Sequence, residues 1–339
     1  YLQGGTLTIG DDNTTILNLL EGANLVHGRI NLARKGTLNV NPVTSADFGY
    51  GSKWNGAINS QGTLSFTAPP KPLITGRRQK LNVSGGTLIL DRTKLVLRPK
   101  SVIENAIIDL RGNSEITFTN RMQNTMSFET TNGSVRVGDN DYWAELRILP
   151  KFKEYSAPTT VQNKNSSLQI NNSIVASPII TINGSIKNNG KLYISDAIIN
   201  NTITADNNTL GELNLYRNIV LNDNKAIKQS VIFVDNGTTT LGNNVDITAR
   251  SIRIGSKAEL LNASNTIKPT NLSNYGKIDG RDLGQGKRYG NIKLEHELEN
   301  HGSIIQNNID VGTIKNNGFI ESIDNLITGG SVYGYGSLK

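Results

Sequence analysis

The chain has 339 residues, of which 36% are hydrophobic and only 19% are charged, and Asn, Ser, Thr and Gly fill much of the rest. The low charge excludes charge-driven disorder, and the many poor helix formers argue against a helical protein. A net charge of +7 is too small for this length to indicate nucleic acid binding, and the absence of cysteine excludes disulfides and thiolate metal sites. The composition therefore predicts β-structure with many turns.

A phrase beginning Gly-Thr-Leu recurs in the first part of the chain, at 5–9, 36–40, 62–66 and 86–90. Its copies begin 31, 26 and 24 residues apart. Between and after the copies lie other runs of about five residues with an aliphatic residue at every second place, such as "TILNL" at 15–19 and "KLVLR" at 94–98. This alternation is typical of strands with one buried face.

A second phrase, Asn-x-Gly followed by one further residue and then an aliphatic one, takes over later, at 188–192, 274–278, 300–304 and 316–320. In both phrases we expect Gly to form a corner with positive φ, the next residue to face solvent and the following aliphatic residue to point inward. Asn before Gly suits the left-handed region, and stacked Asn side chains would form ladders. A simple Asn-Gly hairpin has the same local sequence and is the alternative.

Strands that recur every 8 to 12 residues also fit a sandwich or a barrel. The longer repeat instead favours an all-β fold, a right-handed parallel β-helix with extra-helical loops and about 11 to 14 coils. We predict a single domain over 1–339. Four stretches rich in Pro, aromatic or charged residues interrupt the pattern and predict loop insertions, near 41–56, 67–80, 138–165 and 280–291. On a solenoid, such loops commonly carry binding sites.

The candidate ligand-binding residues are a run of cations and the two tryptophans of the predicted loops, namely Arg77, Arg78, Lys80, Arg92, Lys94, Arg98, Lys100, Trp54 and Trp143. Residues 92, 94, 98 and 100 share one parity, so a strand would place them on one face, opposite Leu95 and Leu97. Such a face could bind sulfated glycans, lipopolysaccharide or extracellular DNA through many weak contacts. The alternatives are an ordinary solvated face and tryptophans that only pack their loops onto the coil.

Other chemistry has weaker support in the sequence. Asp139, Asp141 and Glu145 beside Trp143 could serve a sugar-cleaving or calcium site, although turn carboxylates are more often solvated or capping. His296 and His301 are five residues apart and do not fit the helical zinc motif. No nucleophile or phosphate-binding motif is present. We therefore expect no enzymatic activity within this chain, no metal and no cofactor.

The phrases "LQGGTL" at 2–7, "GTLNV" at 36–40 and "NNGFI" at 316–320 resemble those of Gram-negative autotransporter passenger domains and of filamentous-haemagglutinin-like exoproteins of two-partner secretion. The resemblance implies surface display or release, and adhesion, self-association or biofilm formation. It implies partners among host-cell or bacterial surface glycans and proteins, and an outer-membrane translocator outside this sequence. We expect the sequence to be a piece of a longer chain. The alternatives are a polysaccharide-degrading β-helix enzyme or phage tailspike, and a passive stalk of an autotransporter protease or toxin.

Overall fold

The computed structural model describes most of the chain, with gaps. The described residues are 2–3, 6–11, 13–19, 25–26, 29–40, 57–67, 73–75, 80–98, 101–119, 121–122, 126–130, 133–148, 154–162, 164–171, 178–207, 210–281, 289–322, 327–328 and 331–339. Of the predicted loops, 41–56 lies entirely outside this set, and the other three lie partly outside it.

The chain divides into two compact units, Tyr1–Leu168 (unit 1) and Gln169–Lys339 (unit 2). In each unit, parallel strands stack as a β-solenoid, and the described residues make about 12 turns in all. The all-β prediction is confirmed, and parallel pairing of the described strands excludes the hairpin alternative. Whether 1–339 forms one domain stays a prediction. No described segment is a helix long and apolar enough to cross a membrane.

The strands of unit 1 are short. They are β1 (Leu2–Gln3), β2 (Thr6–Ile9), β3 (Thr15–Leu19), β4 (Leu25–Val26), β5 (Arg29–Leu32), β6 (Gly36–Val40), β7 (Ala57–Ser60), β8 (Thr63–Thr67), β9 (Leu73–Ile74), β10 (Lys80–Ser84), β11 (Thr87–Asp91), β12 (Lys94–Leu97), β13 (Val102–Glu104), β14 (Ala106–Arg111), β15 (Ser114–Phe118), β16 (Arg121–Met122), β17 (Met126–Thr130), β18 (Gly133–Val137), β19 (Glu145–Ile148), β20 (Glu154–Tyr155) and β21 (Thr159–Val161). The next strand, β22 (Ser167–Ile170), spans the division between the units.

Unit 2 contains several longer strands that continue around a corner. They and their shorter neighbours are β23 (Ile180–Ile182), β24 (Ile186–Asn188), β25 (Lys191–Ile199), β26 (Ile203–Thr204), β27 (Glu212–Leu221), β28 (Ala226–Leu241), β29 (Asp246–Leu261), β30 (Thr266–Asn274), β31 (Lys277–Asp279), β32 (Gly290–Lys293), β33 (Glu297–Asn300), β34 (Ser303–Ile305), β35 (Asn307–Asp310), β36 (Thr313–Asn316), β37 (Phe319–Glu321), β38 (Ile327–Thr328), β39 (Ser331–Tyr333) and β40 (Ser337–Leu338).

Each coil contributes in chain order to a first, a second and a third face. In unit 1 the faces are β2-β5-β7-β10-β13, then β3-β6-β8-β11-β14-β17, then β9-β12-β15-β18-β21. In unit 2 the faces are counted afresh from the start of β28. There β28 and β29 each cross all three faces, and β30 begins on the first of them and ends on the second. The coils differ in length, because paired residues are 24 positions apart at Thr63 and Thr87 but 16 apart at Glu297 and Thr313.

The core of unit 1 consists of stacked aliphatic side chains. Leu38, Leu64, Leu88 and Ile108 occupy equivalent positions of four successive second-face strands, and each is 0% exposed. The prediction that the Leu of Gly-Thr-Leu points inward is confirmed for these three copies. Burying such stacks supplies the main stabilisation of each coil on its neighbours.

The first copy, at 5–9, differs from the other three. Its residues form β2, which pairs with Arg29–Leu32 on the first face, whereas the other copies lie on the second face. Leu7 is 37% exposed while Ile9 is buried. Leu7 is nevertheless the register partner of the buried Ile30 and so faces the same side of the sheet; it is left partly exposed because β2 is the end strand of its sheet.

Glycine is needed at the recurring corners mainly for space. Gly86 has a φ of 70°, as predicted, but Gly36 and Gly62 lack positive φ. A Cβ on Gly62 would lie 2.1 Å from the carbonyl oxygen of Gly36, and one on Gly86 would lie 2.2 Å from that of Gly62. Consecutive corners thus pack backbone on backbone, which leaves no room for a side chain.

The Asn-x-Gly phrases form a buried ladder in unit 2. Asn274 Nδ2 donates to Asn300 Oδ1 over 2.8 Å, and Asn300 Nδ2 donates to Asn316 Oδ1 over 2.7 Å. These residues end successive second-face strands and are at most 3% exposed. The predicted ladder is confirmed. The ladder is formed by the Asn that lies two places before Gly. The Asn that directly precedes Gly, at Asn189 and Asn317, does not have the left-handed conformation that we expected.

Asp279 on the third face of unit 2 makes a testable contribution to acid stability. Its side chain is 3% exposed and accepts hydrogen bonds from Arg281 Nε (2.9 Å) and Lys277 Nζ (3.0 Å). Burial by itself would raise the pKa of this carboxyl, but the hydrogen bonds from Arg281 and Lys277 outweigh burial and lower the pKa to about 2. An unfolded Asp has a pKa of about 3.9, so the ionised form stabilises the fold above about pH 4 and this stability is lost towards pH 2.

We therefore expect Asp279→Asn to lower the free energy of unfolding by about 2 kcal/mol near pH 6, and this difference from the unmodified chain to shrink as the pH falls to 2. Urea denaturation across this pH range measures it. Asp310→Asn, whose side chain is 58% exposed, is the matched control and should show no comparable difference. A difference at Asp279 that does not change with pH would contradict the assignment.

Candidate functional site

The structure describes five of the nine predicted ligand-binding residues, namely Lys80, Arg92, Lys94, Arg98 and Trp143. The others, Trp54, Arg77, Arg78 and Lys100, lie outside the described residues. All five described residues belong to unit 1.

The described cations do not lie on one strand face. Lys80 begins β10 on the first face, while Lys94 begins β12 on the third. Arg92 lies in the bend before β12 with a φ of 49°, and its Nε is 3.4 Å from Asp91. Arg98 directly follows β12 and is half-buried. Leu95 and Leu97 are buried between them, as the parity argument expects.

Arg98 is joined to the loop that carries Trp143. Its Nη1 lies 3.1 Å from Asp139 Oδ2, and its guanidinium carbon lies 4.2 Å from the centre of the Tyr142 ring. A guanidinium at this distance over an aromatic face is a cation–π contact. The structure thus brings one cation of the basic run together with Asp139 and Tyr142 of the 138–165 segment.

The loop is held in shape by hydrogen bonds within it. Asp139 Oδ1 accepts from the backbone N–H of Asp141 (3.0 Å) and of Tyr142 (2.8 Å), and the Asp139 N–H donates to the Tyr142 carbonyl over 2.8 Å. The Ala144 N–H donates to Ser166 Oγ over 3.1 Å at the loop's end. Within this tight turn Tyr142 stays 45% exposed and Trp143 50% exposed. We call Arg98, Asp139, Tyr142 and Trp143 the Arg98 patch.

Polar side chains on the third face adjoin the Arg98 patch. Arg136 Nη2 lies 3.2 Å from Glu115 Oε2, and Arg136 Nη1 donates to Gln162 Oε1 over 2.9 Å. Gln162 Nε2 in turn lies 3.5 Å from Asn140 Oδ1 in the same loop as Trp143. The loop that carries the aromatic rings is therefore linked through Asn140 to hydrogen-bonding groups that are already oriented.

The carboxylates weighed for sugar cleavage have different surroundings. Asp139 uses one oxygen to bind Arg98 and the other to cap the turn. Asp141 is exposed, and Glu145 begins β19 and is half-buried. The contacts of Asp139 are those of a residue that shapes the loop.

The structure describes two of the three histidines, His296 and His301. His301 stacks on Tyr275, with ring centres 4.9 Å apart and planes 1° from parallel, and its Nε2 lies 3.0 Å from Glu299 Oε1. His296 is exposed. Within the described ranges, no group of three or more His, Asp or Glu side chains is arranged to hold a metal ion.

Sequence reasoning missed Tyr142 and the role of Asp139 as partner of Arg98. The two charged residues are 41 positions apart, and Arg98 aligns with this loop through β12, β15 and β18. If each coil had been expected to contain about 20 residues, Arg98 and Asp139 would have been predicted to lie two coils apart on the same face. The spacing of the Gly-Thr-Leu phrases instead predicts longer coils.

An exposed aromatic pair beside a fixed guanidinium and amide groups suits a ligand with apolar and hydroxyl-bearing surfaces. Tyr and Trp rings offer an apolar face together with a polar edge, so a sugar ring can pack on the face and hydrogen-bond at the border. No protein-family model, curated protein or solved structure matches the chain.

Proposed function

We propose that this chain is a β-solenoid adhesin that attaches to host-cell or bacterial surfaces by binding glycans at the Arg98 patch. The observation that carries the proposal is the contact of Arg98 with Asp139 and Tyr142, which fixes a loop whose Tyr142 and Trp143 remain half exposed. Large aromatic side chains held at a rigid surface lose little entropy on binding and dominate recognition sites.

The parallel β-solenoid and the repeated corner phrases support placing the chain with autotransporter passengers or two-partner-secretion exoproteins, secreted or displayed on the bacterial surface. On this proposal the chain itself is non-enzymatic, and an outer-membrane translocator lies elsewhere. Self-association and biofilm formation belong to the same proposal, since a surface adhesin can bind glycans on neighbouring bacteria as well as on a host.

We expect Trp143→Ala to weaken glycan binding at least about tenfold, because truncating a central aromatic anchor removes most of its packing surface. The purified chain is applied to an array that includes neutral, sialylated and sulfated glycans, and affinities for the bound glycans are then measured by calorimetry. Tyr335→Ala is the matched control, because Tyr335 is a fully exposed aromatic residue in unit 2.

A second pair of variants separates loop shape from charge. Asp139→Asn weakens the ion pair with Arg98 but keeps the size of the side chain, so binding should fall less than with Trp143→Ala. Combined reversal of Arg92, Lys94 and Arg98 to Glu should remove the salt-sensitive part of glycan binding at the Arg98 patch. If no glycan binds, or if Trp143→Ala binds like the unmodified chain, the proposal is wrong.

A further inference from the structure

A surface groove in unit 2 lies far along the sequence from the Arg98 patch. It has a volume of about 410 Å³ and follows the corner between the first and second faces. Three consecutive coils each contribute three successive residues to its lining, and these are 248–250, 268–270 and 293–295.

The groove has an apolar floor. Ala249, Pro269 and Leu294 are the middle residues of the three triplets, and all three are buried. Ala249 and Pro269 are register partners on neighbouring strands. The floor therefore repeats at the spacing of neighbouring strands, about 4.8 Å.

Cations border this floor. Lys268 and Lys293 directly follow the paired residues Ile267 and Ile292, so they extend from equivalent positions of neighbouring coils. Their side chains are 55% and 66% exposed. Arg250 on the preceding coil is exposed and forms no ion pair with any residue that the structure describes.

Nearby carboxylates balance these cations only in part. Lys268 Nζ lies 3.8 Å from Asp246, and Lys293 Nζ lies 3.7 Å from Asp310. Such long, exposed pairs contribute little and exchange readily for a better anion. Glu295 is the one acidic residue of the lining, and Thr270 Oγ1 lies 3.5 Å from its carboxylate.

We propose that this groove binds a linear anionic polysaccharide that runs along the stack of coils. One sugar residue of an extended chain is about as long as the 4.8 Å spacing between coils, so successive rings can pack on Ala249, Pro269 and Leu294. Carboxylate or sulfate groups on those rings then meet Arg250, Lys268 and Lys293. Polysaccharide is favoured over nucleic acid because the lining contains no aromatic side chain on which a base could stack.

The test is binding of the purified chain to polygalacturonate, dextran sulfate, neutral dextran, and single- and double-stranded DNA at low and physiological salt. We expect the double variant Lys268→Gln and Lys293→Gln to weaken polygalacturonate or dextran sulfate binding at least about tenfold and to reduce its salt dependence. Arg250→Gln should weaken it further. Comparing the two anionic polymers tells carboxylate from sulfate recognition.

The matched control removes the same charge elsewhere in unit 2, through Lys191→Gln and Lys257→Gln, and should leave binding nearly unchanged. An equal loss in this control would mean that net charge alone attracts the polymer, which would overturn the proposal. So would tighter binding of DNA than of either anionic polysaccharide, equal binding of neutral dextran, or no binding at all.

This inference does not depend on glycan binding at the Arg98 patch. Trp143→Ala should leave polygalacturonate binding intact, whereas the groove variants should leave binding at the patch intact. Loss of polyanion binding with Trp143→Ala but not with the lysine variants would place that site in unit 1 and overturn the inference.

Discussion

Gly302→Ala is expected to destabilise unit 2 by about 3 kcal/mol or more. A Cβ at this position would lie 1.9 Å from the carbonyl oxygen of Gly276 in the preceding coil. Gly318 and Gly336 continue the stack, with a Cβ on each placed 2.1 and 2.3 Å from the carbonyl oxygen of the glycine before it. The backbone must move to remove this clash, and that movement would separate Ser303–Ile305 from the third-face strands on either side.

Gly312→Ala is the matched control for this prediction. Gly312 lies at another corner of the same unit, where the nearest atom to an added Cβ, the His296 carbonyl oxygen, is 3.3 Å away. Neither glycine has positive φ, so the two substitutions differ in space and not in backbone preference. Urea denaturation measures the free energy of unfolding, and hydrogen exchange of the Ile304 and Ile320 amides locates the loss. Equal effects of both substitutions would refute the account by close backbone packing.

Asn300→Ala is expected to cost about 3 kcal/mol of folding stability. Asn300 is the middle member of the buried ladder, so its removal leaves Asn274 Nδ2 without its amide acceptor and Asn316 Oδ1 without its amide donor. Asn300 Nδ2 also lies 3.3 Å from the Phe319 carbonyl. A buried polar group left unpaired costs about 1–3 kcal/mol; here Asn274 Nδ2 and Asn316 Oδ1 each keep one backbone partner, and the total comes from several weakened groups together with the cavity that the lost side chain leaves.

The control for the ladder is Asn308→Ala. Asn308 Nδ2 also donates to an amide on the neighbouring coil, Asn291 Oδ1 at 3.1 Å, but both side chains are half-exposed and water can replace the bond. We expect a loss below about 1 kcal/mol for this substitution in the same denaturation experiment. A loss at Asn300 no larger than at Asn308 would show that burial of the ladder contributes little.

Both proposed binding surfaces follow from the stacking of coils. The Arg98 patch joins residues 41 positions apart, and the groove repeats a three-residue segment across three coils. Backbone pairing between strands sets the distance between neighbouring coils and thereby the spacing of the cations at the groove, and the buried ladder and the glycine corners add contacts between those coils. Variants that loosen the corners are therefore expected to weaken ligand binding as well as stability, because rigid elements hold binding groups in place.

The sequence alone determined the class of fold and much of the interior. Alternating aliphatic residues predicted strands with one buried face, and Leu38, Leu64 and Leu88 are fully buried. The recurring Asn-x-Gly phrase predicted an amide ladder, and Asn274, Asn300 and Asn316 form it. These features could be predicted because they depend on periodicity within a strand and on the repetition of one corner, both of which are local.

Only the tertiary structure decided which face each strand joins and which distant side chains meet. The copy of Gly-Thr-Leu at 5–9 lies on the first face and the copy at 36–40 on the second, although their sequences begin alike. Arg98 meets Asp139, and Lys268 follows Thr248 in register, because coil lengths vary with the loops between strands. The register between coils depends on the lengths of all the strands and loops in a coil and on long-range packing. A local phrase therefore cannot specify it.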